Sequence, residues 1–168
     1  MRIFGLNYTH SYGIKNDDFQ PANTGILYLC FMSEKFTTNK APGAVGLYPH
    51  ARRVGNLLFL SGIGPRTVSN DVPGLKQNAS GHFLEFDFEA QCRNVFDNVR
   101  IVLEECGSSW DKLIDVTVFL TDMQRDFPTY NRIYAEYFKD NQPCRTTVGI
   151  DSLPTPIAIE LKCVAEID

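Results

Sequence analysis

Residues 87–121 read DFEAQCRNVFDNVRIVLEECGSSWDKLIDVTVFLT, a helix pattern followed by a strand pattern. Phe88, Cys92, Val95, Phe96, Val99, Val102, Leu103 and Cys106 recur at the three- and four-residue spacing that gathers apolar side chains on one helix face. Asp87 supplies a side-chain acceptor where a helix leaves its first amides free, and Gly107 stands where a helix can end in a left-handed turn. Leu113–Thr121 is rich in β-branched residues and reads as a central strand. The apolar stripe of the helix has to be buried, so the spacing predicts a long amphipathic helix lying on a sheet.

Toward the C-terminus, Pro128 is expected to open a second helix whose apolar face holds Tyr130, Ile133, Tyr134, Tyr137 and Phe138. A strand between two helices predicts a βαβ crossover. Two further strands are predicted at Cys144–Ile150 and Ile157–Ile167, separated by the turn-forming Leu153-Pro154-Thr155-Pro156. Toward the N-terminus, Leu47–Arg53 and Leu57–Ile63 flank a Gly55-Asn56 turn and read as a hairpin, closed by Gly62, Gly64 and Pro65. Residues 66–80, with Pro73-Gly74, read as a loop. The predicted order is β-β-α-β-α-β-β, an α+β fold with one mixed sheet and two helices on one of its faces. The opposite face then needs cover, and another copy of the chain supplies it most simply.

The 168 residues suit one compact domain with a real core. Residues 1–31 show no sustained period and read as an N-terminal extension; the functional module is expected over 32–168, with Met32 as its start. The hydrophobic and charged fractions, 43% and 21%, are ordinary, and a net charge of -4 gives no electrostatic reason to bind nucleic acid. Five cysteines, at 30, 92, 106, 144 and 163, form no metal-spaced pair and no even disulfide framework. Cys92, Cys106 and Cys163 are expected as small buried hydrophobes. The apolar run Gly25–Met32 is too short to span a bilayer, and Asp17 and Asp18 are out of character for a transit peptide. The expectation is a cytoplasmic protein with no membrane partner.

The chain lacks a Walker loop, a dinucleotide glycine fingerprint, an H-E-x-x-H helix and a G-x-S-x-G elbow. No metal and no cofactor are expected. His10, His50 and His82 have no patterned Ser or Cys partner and read as surface histidines. Two charges interrupt strands that otherwise read as buried: Arg145 in Cys144–Val148 and Glu160 in Ile157–Leu161. Burying either costs several kcal/mol unless it is paired or used. Alternation puts Arg145 and Thr147 on one face and Glu160 with Lys162 on one face, so adjacent strands would aim both charges at one pocket. A plain Arg145–Glu160 ion pair across the hairpin, or two solvated edges, fits the composition equally well.

Several blocks carry a resemblance in both order and spacing. They are Gly43–Tyr48; Leu58-Phe59-Leu60-Ser61-Gly62; Phe127 through Asn131 to Tyr134 and Phe138; and Pro143-Cys144-Arg145-Thr146-Thr147-Val148 through Leu153-Pro154 to Ile159-Glu160. Together, over about residues 40–167, they resemble the Rid (YjgF-like) family. The resemblance implies a chorismate-mutase-like fold assembled as a homotrimer, with pockets at the subunit interfaces. It assigns Arg145 to the grip on a substrate carboxylate and Glu160 to the water. Gly62 becomes the backbone approach point, Tyr48 an aromatic wall, and Thr147 a position whose backbone neighbours the amine or imine. The chain departs from the family pattern with Thr146-Thr147-Val148 after the arginine and Ile63-Gly64-Pro65-Arg66 after Ser61-Gly62.

The implied activity is hydrolysis of an enamine or imine bearing a carboxylate to a carbonyl compound and ammonia. The Arg-Thr-Thr-Val, Leu-Pro-x-Pro and Glu-x-Lys pattern resembles the 2-aminomuconate deaminase branch, which implies conversion of 2-aminomuconate to 2-oxohex-3-enedioate (4-oxalocrotonate). A dicarboxylate needs a second cation, for which Arg66 stands first with Arg52 and Arg53 behind it; a solvent-exposed role is the alternative for each. General protection against 2-aminoacrylate-type intermediates and a non-enzymatic small-molecule-binding trimer are the competing readings. Relatives in the family have also been described as ribonucleases, but no basic stripe with interleaved aromatics supports RNA here.

Overall fold

The computed structural model describes residues 33–77, 80 and 83–168. The expectations for residues 1–31, Cys30, His10 and His82 lie outside these. Strands β1 (Glu34–Phe36), β2 (Ala51–Val54), β3 (Leu57–Leu60), β6 (Leu113–Leu120), β7 (Cys144–Gly149) and β8 (Ile159–Glu166) form a mixed sheet in the order β1-β2-β3-β8-β6-β7. Strands β4 (Leu75–Gln77) and β5 (Phe83–Phe86) form a separate two-stranded sheet. The α-helices among the described residues are α1 (Phe88–Glu105) and α2 (Met123–Tyr137).

Helix α1 begins where the sequence indicates, with the Asp87 carboxylate accepting from the Ala90 amide at 3.0 Å. It ends in a Schellman turn: Gly107 has φ +82°, its amide reaches Glu104 O at 3.0 Å, and the Ser108 amide reaches Leu103 O at 2.9 Å. Phe96 anchors the packing of α1, in edge contact with Trp110 and Phe138 at ring separations of 5.9 and 5.6 Å and tilted against Tyr137 at 4.8 Å. Cys92, Cys106 and Cys163 are buried, as their patterns indicate, and burial pushes the Cys92 and Cys163 thiols up to about 12.

Helix α2 starts earlier than Pro128. Asp122 caps it by accepting from the Arg125 amide at 3.0 Å, and Pro128 lies inside the helix, in its second turn. The β6–α2–β7 unit is the predicted parallel crossover. Strand β2 begins only at Ala51, because residues 45–50 bend without pairing into the sheet, and the segment read as a loop contains β4. His50 is buried rather than superficial: its Nδ1 accepts from the Thr38 amide at 3.3 Å and its Nε2 lies 2.9 Å from Pro42 O.

Strands β7 and β8 are not neighbours. β6 lies between them, paired in parallel with β7 and antiparallel with β8. Partners across a ladder share a face. The row Arg145–Val116–Cys163 therefore points toward the helices, and the row Val148–Phe119–Glu160 points to the other face. That second face also carries the rows Thr146–Thr117–Lys162 and Arg52–Phe59–Val164.

Gly107→Ala should lower stability by about 1 kcal/mol, because an added Cβ meets nothing within 4 Å and only the left-handed backbone resists it. Urea unfolding should show a reduced midpoint with an unchanged slope.

Candidate active site

After β3 the chain runs alongside β8 instead of leaving the sheet. The Ile63 amide donates to Leu161 O at 2.8 Å and the Leu161 amide donates to Ile63 O at 2.9 Å. This reciprocal pair presses Gly62 against the preceding β8 side chain. A Cβ at Gly62 would lie 2.4 Å from Glu160 Oε1 and 2.8 Å from its Cδ, so the carboxyl keeps its place only beside a glycine.

Glu160 opens into a cleft of about 500 Å³ on the face that carries no helix among the described residues, between Tyr48, Arg52, Phe59, Arg66, Thr155 and Lys162. Ser61 Oγ donates to Pro49 O at 2.7 Å and fastens the turn that presents Tyr48. Arg66 is oriented by two bonds, Nη1 to Asn70 Oδ1 at 2.7 Å and Nη2 to Gly43 O at 2.8 Å. Burial holds the Glu160 carboxyl above the usual carboxylate range, and the Arg66 charge offsets part of that rise. A carboxyl with raised proton affinity beside an apolar wall can take a proton from water and return it.

Arg52 lines the same cleft, its Nε donating to Ser33 Oγ. Arg53 does not line it: on the opposite side of β2, its Nε donates to Gly55 O at 2.8 Å. Lys162, two residues beyond Glu160 and so on the same face, joins the lining; that spacing made it legible as a neighbour, though not as a cation for the cleft.

Arg145 lies elsewhere. Its guanidinium sits over the ring of Tyr134 at 4.6 Å and near Tyr130 and Phe127 at 5.7 and 6.0 Å, and its Nη1 donates to Asn131 Oδ1 at 3.0 Å. Aromatic faces attract the cation while the Asn131 bond sets its rotation, so α2 serves as a platform for Arg145. Thr147 shares this face, with its hydroxyl buried and unpartnered among the described residues. Within one protomer the predicted meeting of Arg145 and Glu160 in one pocket does not occur, and neither does an ion pair across a hairpin. Two strand spacings and a three-residue offset put their Cα atoms about 14 Å apart, on opposite faces of the sheet.

The fold and cleft define a small α+β protein with a mixed sheet, two helices on one face, and a carboxyl-bearing cleft on the other. The chain belongs to the Rid/YjgF family: residues 38–167 match the family model described as endoribonuclease L-PSP. A RutC family protein of Pyrococcus horikoshii is 36% identical over 137 residues, covering 80% of this chain and 98% of that protein. The chloroplastic Reactive Intermediate Deaminase A of Arabidopsis thaliana is 35% identical over 132 residues, 79% of this chain and 65% of that protein. The crystal structure of yeast Mmf1 superposes with a TM-score of 0.71 at 30% identity, covering 82% of this chain and all 100% of that one. E. coli TdcF with bound serine gives 0.68 at 28% identity, covering 80% and 99%. Among the described residues, no helix is long and apolar enough to cross a membrane.

A carboxyl whose proton affinity rises on folding is ionised less readily in the folded chain than in the unfolded one. Stability therefore falls as pH climbs through the unfolded value toward the folded value, and the deficit persists above it. Glu160→Gln should raise the urea midpoint at pH 7, and the gain should vanish below about pH 4, where the unfolded glutamate is protonated too.

Proposed function

We propose that the chain is an enamine/imine deaminase whose reaction centre is shared between copies of the chain in a homotrimer. The observation that carries this reading is the Glu160 carboxyl, held with raised proton affinity against the Gly62 backbone beside Arg66. The name of the Arabidopsis relative supports it.

The enamine tautomerises to the imine, and Arg145 grips the substrate carboxylate through its planar fork. Glu160 takes a proton from water as the water oxygen bonds to the imine carbon and the C=N electrons move to nitrogen. Glu160 passes that proton to the nitrogen, giving the carbinolamine, which then collapses: Glu160 takes the hydroxyl proton as the oxygen forms the carbonyl, the C–N bond breaks, and the same proton goes to the departing nitrogen, which leaves as ammonia. The sum is imine plus water giving carbonyl compound plus ammonia, and no metal or cofactor takes part.

Arg145 and Glu160 cannot serve one substrate within a protomer, since they occupy opposite faces of the sheet. An Arg145 from one subunit and a Glu160 from another can. Phe59 and Val148, 39% and 38% exposed on the helix-free face, are the apolar surface such an assembly covers.

A dicarboxylate such as 2-aminomuconate is a second reading of the same chemistry, favoured by Arg66, Arg52 and Lys162 lining one cleft. A short 2-aminoacrylate-type substrate has no use for these cations.

Ammonia release from freshly generated 2-aminoacrylate and 2-aminomuconate separates the readings. Arg145→Ala and Glu160→Gln should each lower kcat/KM by roughly a hundredfold or more on either substrate, and Arg145→Lys should recover little of the loss. Arg66→Ala should raise KM for 2-aminomuconate alone if the dicarboxylate is preferred. Equal rates in every variant would refute the mechanism, and binding without ammonia release would mark a ligand-binding protein.

Sharing of the site has its own test. Unfolding Arg145→Ala and Glu160→Gln chains together and refolding them as a mixture should restore about a quarter of wild-type sites, those pairing an intact Arg145 with an intact Glu160. No recovery would overturn the joint use of Arg145 and Glu160 in one site.

A further inference from the structure

We infer that Asn98 and Gln91, two carboxamides on the buried face of α1, are positioning residues that hold the two loops flanking Glu160 and so fix its placement relative to Arg66. They stand seven residues apart, two turns along one helix face, and are 5% and 0% exposed. Asn98 Nδ2 lies 2.9 Å from Gly64 O and 2.8 Å from Arg66 O, donating to both ends of the Gly64-Pro65-Arg66 segment. Gln91 Oε1 accepts from the Ala158 amide at 2.8 Å, and Ala158 O accepts from the Thr121 amide at 3.1 Å. One helix thereby grips the backbone under Arg66 and the backbone two residues before Glu160.

An apolar side chain would fill either position in α1 at no cost to helix formation. Two buried amides aimed at the two loops of one cleft are better explained by placement than by packing. Freed from Asn98, Arg66 would draw away from Glu160, and less of its charge would act on the carboxyl.

The kinetic part of the test rests on the deaminase reading; the titration part does not. Glu160 titration is followed by carbon NMR of glutamate-labelled protein, assigned through Glu160→Gln. In Asn98→Leu, nearly isosteric but unable to donate, the midpoint should move to higher pH while unfolding stays cooperative. Combining Asn98→Leu with Arg66→Ala should add nothing to the shift of Arg66→Ala alone, because both act through one charge. Turnover of 2-aminoacrylate should fall roughly tenfold in kcat, with KM changed less. A folded Asn98→Leu protein with wild-type Glu160 titration would overturn the inference. Should that variant fail to fold, Asn98→Ser, which leaves room for a water, is read in the same way. Absence of deaminase activity in the wild type would refute the proposed reaction and leave the titration result standing.

Discussion

Strand β6 is the constraint on which the rest depends. Its two edges are both occupied, by β7 running parallel and β8 running antiparallel, so it holds the crossover helix α2 on one side of the sheet and separates the two conspicuous charges. Val116, Val118 and Leu120 on β6 are wholly buried against the helices, whereas Thr117 and Phe119 face the other way with Lys162 and Glu160. A slip of one residue would exchange these sets and place a carboxyl in the core.

The two faces do different chemical work. On the helix side, α2 supplies aromatic rings and one amide that hold a guanidinium at a sheet edge. On the bare side, the Ile63–Leu161 pair presses a glycine onto a carboxylate and leaves a cleft in front of it. Both arrangements are built from groups at the ends or the edge of the sheet and in the loops that flank it.

Much of the fold was legible in the sequence because α1, β6 and the hairpin turn carry strong local patterns. Asp87 and Gly107 mark the ends of α1 through capping that depends on a few adjacent residues. The start of α2 was obscured because Pro128 suggested a beginning, while Asp122 caps the helix one and a half turns earlier. Strand β4 is short and its partner β5 lies beyond an intervening segment, so no local period announces it. The candidate residues Glu160 and Arg145 were visible as charges in apolar strands, yet their separation depends on strand order, which alternation within each strand does not encode. His50 was misread for a similar reason: its partners, Thr38 and Pro42, come from another segment. Gln91 and Asn98 stood in plain view as amides interrupting an apolar stripe, a signal overshadowed by the hydrophobic residues around them.

The anchoring of the loop after β3 divides it into a half that is bound to stay and a half that is at liberty to vary. Up to Arg66 the backbone is bonded to β8 and to α1. Beyond it, Thr67–Asp71 closes on itself through the Thr67 amide to Asp71 O at 2.8 Å and the Asn70 amide to Thr67 O at 2.9 Å. Insertions or exchanges in that turn that keep Asn70, whose Oδ1 accepts from Arg66 Nη1, can redraw the rim of the cleft while the carboxyl behind it keeps its place. Descendants of one ancestral chain can in this way diverge in the molecules they admit while inheriting the same carboxyl pressed against a glycine.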